Sequence, residues 1–116
     1  MGFNFEDLDV YNKAVDFANE IYSLTKNFPK DEMFGLTSQL RRAAVSISLN
    51  ISEGSARSKK DFIRFIDIAR GSIFECVTIL KLSARQNYIK QLKFNELEKD
   101  LVEISKMLSG LKRKLP

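Results

Sequence analysis

Along the last quarter of the chain, Leu97, Leu101, Ile104, Leu108, Leu111 and Leu115 recur at alternating steps of four and three. Apolar residues at that spacing form one seam along a helix, with a repeat of about 3.5 residues, and the seam is buried by packing against other helices. Both prolines, Pro29 and Pro116, stand outside the periodic stretches, so no proline breaks the helices that the pattern predicts. Strand-like alternation never lasts beyond a few residues, and no low-complexity tract or shift in composition marks a second domain. Residues 1–116 therefore read as a single all-α domain.

Three further helices precede the seam, which itself lies on a helix from about Leu92 to Lys114. The first spans about Asp9 to Asn27, with Tyr11, Ala14, Val15, Ala18, Ile21, Tyr22 and Thr25 expected on its buried face. Phe28-Pro29 ends it, because the residue before proline is pushed out of the helical region. A connector from Lys30 to Gly35 leads to the second helix, about Leu36 to Ser55, with Gly54 expected as a left-handed stop. The third opens at Ser58, whose hydroxyl caps the free amides, with Asp61 three residues on standing in for the usual Glu. Phe62, Phe65, Ile66, Ala69, Ile73, Cys76, Leu80 and Ala84 carry its stripe to about Gln86, where Asn87 is the expected left-handed cap. Four such helices on short links pack most economically as an antiparallel up-down four-helix bundle.

A chain of this size, 44% hydrophobic, buries a core without a metal or a disulfide staple. The lone thiol, Cys76, fits a reducing compartment. No apolar run reaches the roughly 18 residues that span a bilayer, the N-terminus has no signal-peptide pattern, and Glu6 stands where a myristoylated Gly2 would want Ser or Thr. The expected setting is cytoplasmic, with no membrane partner.

Helix two is the informative segment. Leu36, Leu40, Ala44, Ile47 and Ile51 belong to the bundle core. Roughly opposite lie Val45 and Leu49, which the protomer's own core should not need; they are the candidate self-association surface. Between the two faces runs a polar line of Gln39, Arg42, Ser46, Asn50 and Glu53, with Arg57 past the turn. Glu53 faces the negative end of the helix dipole, an unfavourable place, so a partner is expected in Arg57 or Arg42. The line reads as a structural network fixing how helix three leaves helix two, with a ligand site as the alternative.

These residues also carry a resemblance. Phe28-Pro29, Gly35-Leu36, Gln39, Arg41-Arg42-Ala43-Ala44, Ser46-Ile47, Asn50-Ile51, Glu53-Gly54 and Arg57, with Ala69, Gly71-Ser72 and Glu75, resemble a bacterial four-helix bundle family first read from intervening sequences in 23S rRNA genes. Its relatives include the accessory variability determinant of diversity-generating retroelements. The similarity covers nearly the whole chain, and Asn-Ile-x-Glu-Gly-x-x-Arg at residues 50–57 is its most specific piece. Asn87 stands where relatives often have Gly, and Ser52 replaces the usual Ala. The resemblance implies a homopentamer and, for the retroelement branch, a basic surface that binds nucleic acid and a partner reverse transcriptase. The residues do not choose between branches.

Enzymatic chemistry has little to work with. Without histidine there is no Ser-His-Asp triad, Cys-His pair or Glu-x-x-His di-iron motif, and one thiol does not make a zinc site. Glu96, Glu98, Asp100 and Glu103 lie off the leucine seam beside Lys99 and Lys106, as solvated surface. Gly71-Ser72 falls mid-helix, where small residues let a neighbour approach, and Cys76 reads as a small buried hydrophobe. No catalytic residue, metal or cofactor is expected.

Charge is the remaining signal. Residues 1–35 carry a net −4 and residues 36–116 a net +8, an asymmetry that points to an acidic partner. Arg57, Lys59, Lys60 and Arg64 gather where helix three begins, and Lys112, Arg113 and Lys114 end helix four. In an up-down bundle both clusters lie at one pole. The expected function is that of an oligomeric accessory protein binding RNA or DNA there; the alternative is an oligomeric protein-interaction scaffold with no nucleic-acid role.

Overall fold

The computed structural model describes residues 2–115. Four helices, α1 (Asp9–Thr25), α2 (Leu36–Ser55), α3 (Lys59–Arg85) and α4 (Gln91–Arg113), are preceded by single 3-10 turns at Asn4–Asp7 and Lys30–Glu32. α2 packs on α1 and α3, and α4 closes the ring against α3 and α1, the up-down arrangement expected of short links. The body is a rod of 43 × 23 × 23 Å, with a radius of gyration of 14.5 Å. A 27-residue helix is about 40 Å long, so α3 alone spans the molecule.

The core is built at helical spacing. Ile21, Leu40, Ile47, Ile51, Ile66, Leu80, Leu97, Leu101, Ile104 and Leu108 are fully buried. Leu111 and Leu115, the last two of the α4 seam, are half-buried where the bundle ends. On α1 Ala14, Ala18, Ile21 and Thr25 are buried as expected, but Val15 and Tyr22 are 40% and 42% exposed, and Val10 and Phe17 enter the core in their place. Ile21 lies between Ala14 and Phe17 on the wheel, whereas Val15 and Tyr22 sit roughly 100° to one side of Ile21. Tyr22 instead stacks under the Arg41 guanidinium, 4.6 Å from its ring centroid.

The helix ends divide into expected and unexpected. Ser58 Oγ accepts from the Asp61 amide at 3.2 Å, the anticipated cap, and Asn87 takes φ +64° in the left-handed region. Gly54 is no left-handed stop. α2 continues to Ser55 and its cap, Ala56, is right-handed. Gly54 is needed for space: a Cβ there would lie 2.6 Å from Phe65 Cβ and 2.9 Å from Phe62 Cδ1. The close approach of α2 and α3 is made at Gly54, not at Gly71, whose surroundings are open. The start of α2 has no side-chain cap of its own; Glu32 supplies one from upstream, its Oε1 accepting the Leu36 amide at 3.1 Å. The other Glu32 oxygen accepts Tyr88 Oη at 2.9 Å, and that bond raises the phenol pKa above its ordinary value.

Candidate nucleic-acid interface

The basic end of α4 packs along the first half of α3. Lys112 Nζ on α4 donates to both carboxylate oxygens of Asp67 on α3, at 2.9 and 3.1 Å. Arg113 lines the same α3–α4 cleft as Ile63 and Arg70. Near the α2–α3 turn, Phe65 is a half-buried platform for two guanidiniums, with Arg57 5.4 Å and Arg64 5.0 Å from its ring centroid.

The seven cations are not equivalent. Arg57 is held by Glu53 at 2.7 Å, Lys112 by Asp67 at 2.9 Å, and Arg64 lies 4.0 Å from Asp61. Lys59, Lys60, Arg113 and Lys114 are exposed and join no ion pair among the described residues. Arg113 and Lys114 sit where a helix C-terminus favours positive charge. Lys59 and Lys60 have the opposite placement. They are the first two residues of α3, at the positive end of its dipole, where a cation is disfavoured. Helix stability gives no reason for those two lysines.

The polar line along α2 breaks into local pairs. Asn50 Nδ2 donates to Ser46 O at 2.8 Å and to Ser46 Oγ at 2.9 Å, and Ser72 Oγ on α3 donates to Ser46 Oγ at 2.9 Å. Glu53 takes Arg57, its nearer candidate, one helical turn away. No side-chain hydrogen bond joins Gln39 or Arg42 to these groups among the described residues. Instead they line, with Ala43, Ser46 and Glu75, an open groove of about 350 Å³ between α2 and α3. Glu75 is the member that reading helix two alone overlooks. Its position one turn beyond Ser72 on α3 is the signal that finds it.

Val45 departs from expectation. It is half-buried and packs against the chain's own core. Leu49 remains outside, 58% exposed. Further α3 side chains, Ile68, Phe74 and Leu82, also stand exposed.

Reactive chemistry is subdued. Cys76 is fully buried, and burial, reinforced by the neighbouring Glu75 charge, pushes its thiol up to about 12. A thiol in that condition is a poor nucleophile at neutral pH. The described residues contain no group of three or more His, Cys, Asp or Glu side chains placed to hold a metal ion. None of the described helices is long and apolar enough to cross a membrane.

The comparisons agree with this architecture. No curated protein matches the chain. A solved protein of unknown function from the S23 ribosomal protein family of Bacteroides thetaiotaomicron is 30% identical, with a TM-score of 0.82 over 89% of this chain and 97% of that one. The family model for the 23S rRNA-intervening sequence protein matches residues 6–110. The chain belongs to the 23S rRNA-intervening sequence protein family.

Proposed function

We propose that this is a non-enzymatic, self-associating accessory protein that binds nucleic-acid phosphates through its basic pole. One observation carries the reading: Lys59 and Lys60 occupy the first turn of α3 against the helix dipole, and the basic end of α4 packs along the same half of α3. Charge kept where it costs the helix stability is charge with another use. Lysine and arginine on such a surface would bind phosphate backbones with little sequence preference and strong dependence on salt. Phe65, half-buried under two guanidiniums, gives Arg57 and Arg64 a common platform near the start of α3.

Self-association, as the homopentamer that the resemblance implies, fits the face carrying Leu49 and the α2–α3 groove. A ring would repeat the basic pole in each protomer and multiply its field. A reverse transcriptase, the protein partner that the resemblance implies for one branch, is the first to seek by co-purification. The scaffold reading draws on the exposed apolar side chains of α2 and α3, and it predicts protein partners that survive nuclease treatment.

The test is a variant that separates folding from binding. Lys59→Glu with Lys60→Glu places acids where the dipole favours them, so stability should rise by about 0.3–1 kcal/mol per site. RNA and DNA affinity at low salt should fall at least tenfold, read by fluorescence anisotropy with a labelled single strand. Unchanged affinity in this better-folded variant would reject the basic pole as the binding surface.

A further inference from the structure

Arg70 has no counterpart in the clusters described above, and its surroundings are unusual. It projects from the middle of α3 and is half-buried. Its Nε is shut off from solvent and has no hydrogen-bond partner among the described residues. The guanidinium also joins no ion pair among them. A buried donor normally has an acceptor, because leaving one unsatisfied is expensive. The nearest acid along the helix, Asp67, is already taken by Lys112 at 2.9 Å.

The space beside Arg70 is a cleft between α3 and α4 of about 450 Å³, lined by Ile63, Arg70, Ser109, Lys112 and Arg113. Ser109, half-buried on α4, makes no side-chain hydrogen bond among the described residues. Three cations thus line an open volume that also offers a hydroxyl, and one of them, Lys112, is paired with Asp67. The donors come from two helices and so approach from different sides. That arrangement suits a tetrahedral oxyanion better than a planar carboxylate, for which one guanidinium fork is enough.

We propose that the α3–α4 cleft is an anion site in which Arg70, Ser109 and Arg113 hold a phosphate group. The anion gives the half-buried Arg70 guanidinium the counter-charge it lacks among the described residues. Lys112, already half-neutralised by Asp67, adds field more than contact. The phosphate has two possible sources, free inorganic phosphate or the terminal phosphomonoester of a nucleic-acid strand. The site does not depend on the nucleic-acid reading above, since inorganic phosphate binds here whether or not RNA does.

The Arg70 Nε–H is the reporter, because its seclusion from solvent slows exchange and keeps its ¹H–¹⁵N resonance visible. Full-length protein is titrated with inorganic phosphate at constant ionic strength. The Arg70 Nε–H and the Ser109 amide are expected to shift together and saturate. Arg113→Gln, an exposed change that leaves the fold alone, should weaken the affinity about tenfold, the equivalent of one charge-assisted hydrogen bond. Arg70→Gln should abolish saturation, and should it fail to fold, the wild-type resonance and Arg113→Gln carry the test. A second arm compares short oligonucleotides ending in a phosphate or a hydroxyl. Saturation by inorganic phosphate alone assigns a free anion; added saturation by the phosphate-ended strand only assigns a nucleic-acid end. Linear, non-saturating shifts, or an affinity unchanged in Arg113→Gln, would overturn the site.

Discussion

Two glycines inside helices, Gly54 and Gly71, should respond oppositely to the same substitution. Alanine is favoured over glycine in a helix interior by about 1 kcal/mol, a gain available at both positions. At Gly71 the added methyl meets nothing within 4 Å, so Gly71→Ala should stabilise the fold by up to about 1 kcal/mol. At Gly54 the methyl would lie 2.6 Å from Phe65 Cβ and 3.2 Å from Phe65 Cγ. Comfortable carbon contacts need about 3.5–4.0 Å, so α2 and α3 must part by roughly 1 Å at their closest point. Phe65 Cβ is fixed to its backbone and cannot swing aside. Overpacking of this kind costs about 1–3 kcal/mol, and a contact so short should lie toward the upper end. Gly54→Ala is therefore expected to be net destabilising by about 1–2 kcal/mol, with the two variants separated by about 2–3 kcal/mol. Urea denaturation followed by circular dichroism, at matched protein concentration so that any association of chains affects both alike, should separate them by about 1 M or more. A Gly54→Ala midpoint at or above wild type would refute the claim that glycine is there for space.

Two other consequences can be measured directly. Cys76, with its thiol raised from 9.0 to about 12, should resist alkylation in the folded protein near neutral pH and react promptly once urea unfolds it. The sign follows from linkage: a raised folded-state value stabilises fully below pH 9.0 and is lost as pH climbs toward 12, so Cys76→Ala should flatten the alkaline fall in stability over that window. Leu49→Glu, at a side chain 58% exposed, should leave the helical spectrum intact while slowing sedimentation to that of a smaller species; an unchanged sedimentation coefficient would remove Leu49 from any subunit interface.

Much of the bundle was legible because a helix reports its buried face through spacing. The α4 seam, the Ser58 cap and the left-handed Asn87 each depend on residues within about one turn, and each is found as expected. The misses arise where tertiary geometry decides. Gly54 looks like a stop by residue type, and only the approach of Phe62 and Phe65 reveals it as a contact. On α1 the spacing also admitted Val15 and Tyr22 at the edge of the buried face, and the packed bundle buries Val10 and Phe17 on the other edge instead. Glu32 caps a helix four residues downstream while holding Tyr88 from 56 residues away, a link no local pattern encodes.

The basic pole was legible as charge but not as pairing. Lys112 and Arg57 look as available in the sequence as Lys59 and Lys60, yet carboxylates on α3 and α2 occupy them. Arg70 was hidden for the opposite reason. Its flank of α3 faces α4, and nothing near it in sequence shows that a guanidinium would be left there without an acid.

The central claim is that the cations left unpaired at this pole grip phosphate, and salt dependence is its most direct measure. Lys59, Lys60, Arg113 and Lys114 are four cations per chain that join no ion pair among the described residues. Each contributes about 0.7 to the slope of log affinity against log salt on a single strand. An engaged protomer should therefore give a slope of about −3. A slope indistinguishable from zero, or no binding even at the lowest salt, would contradict the account.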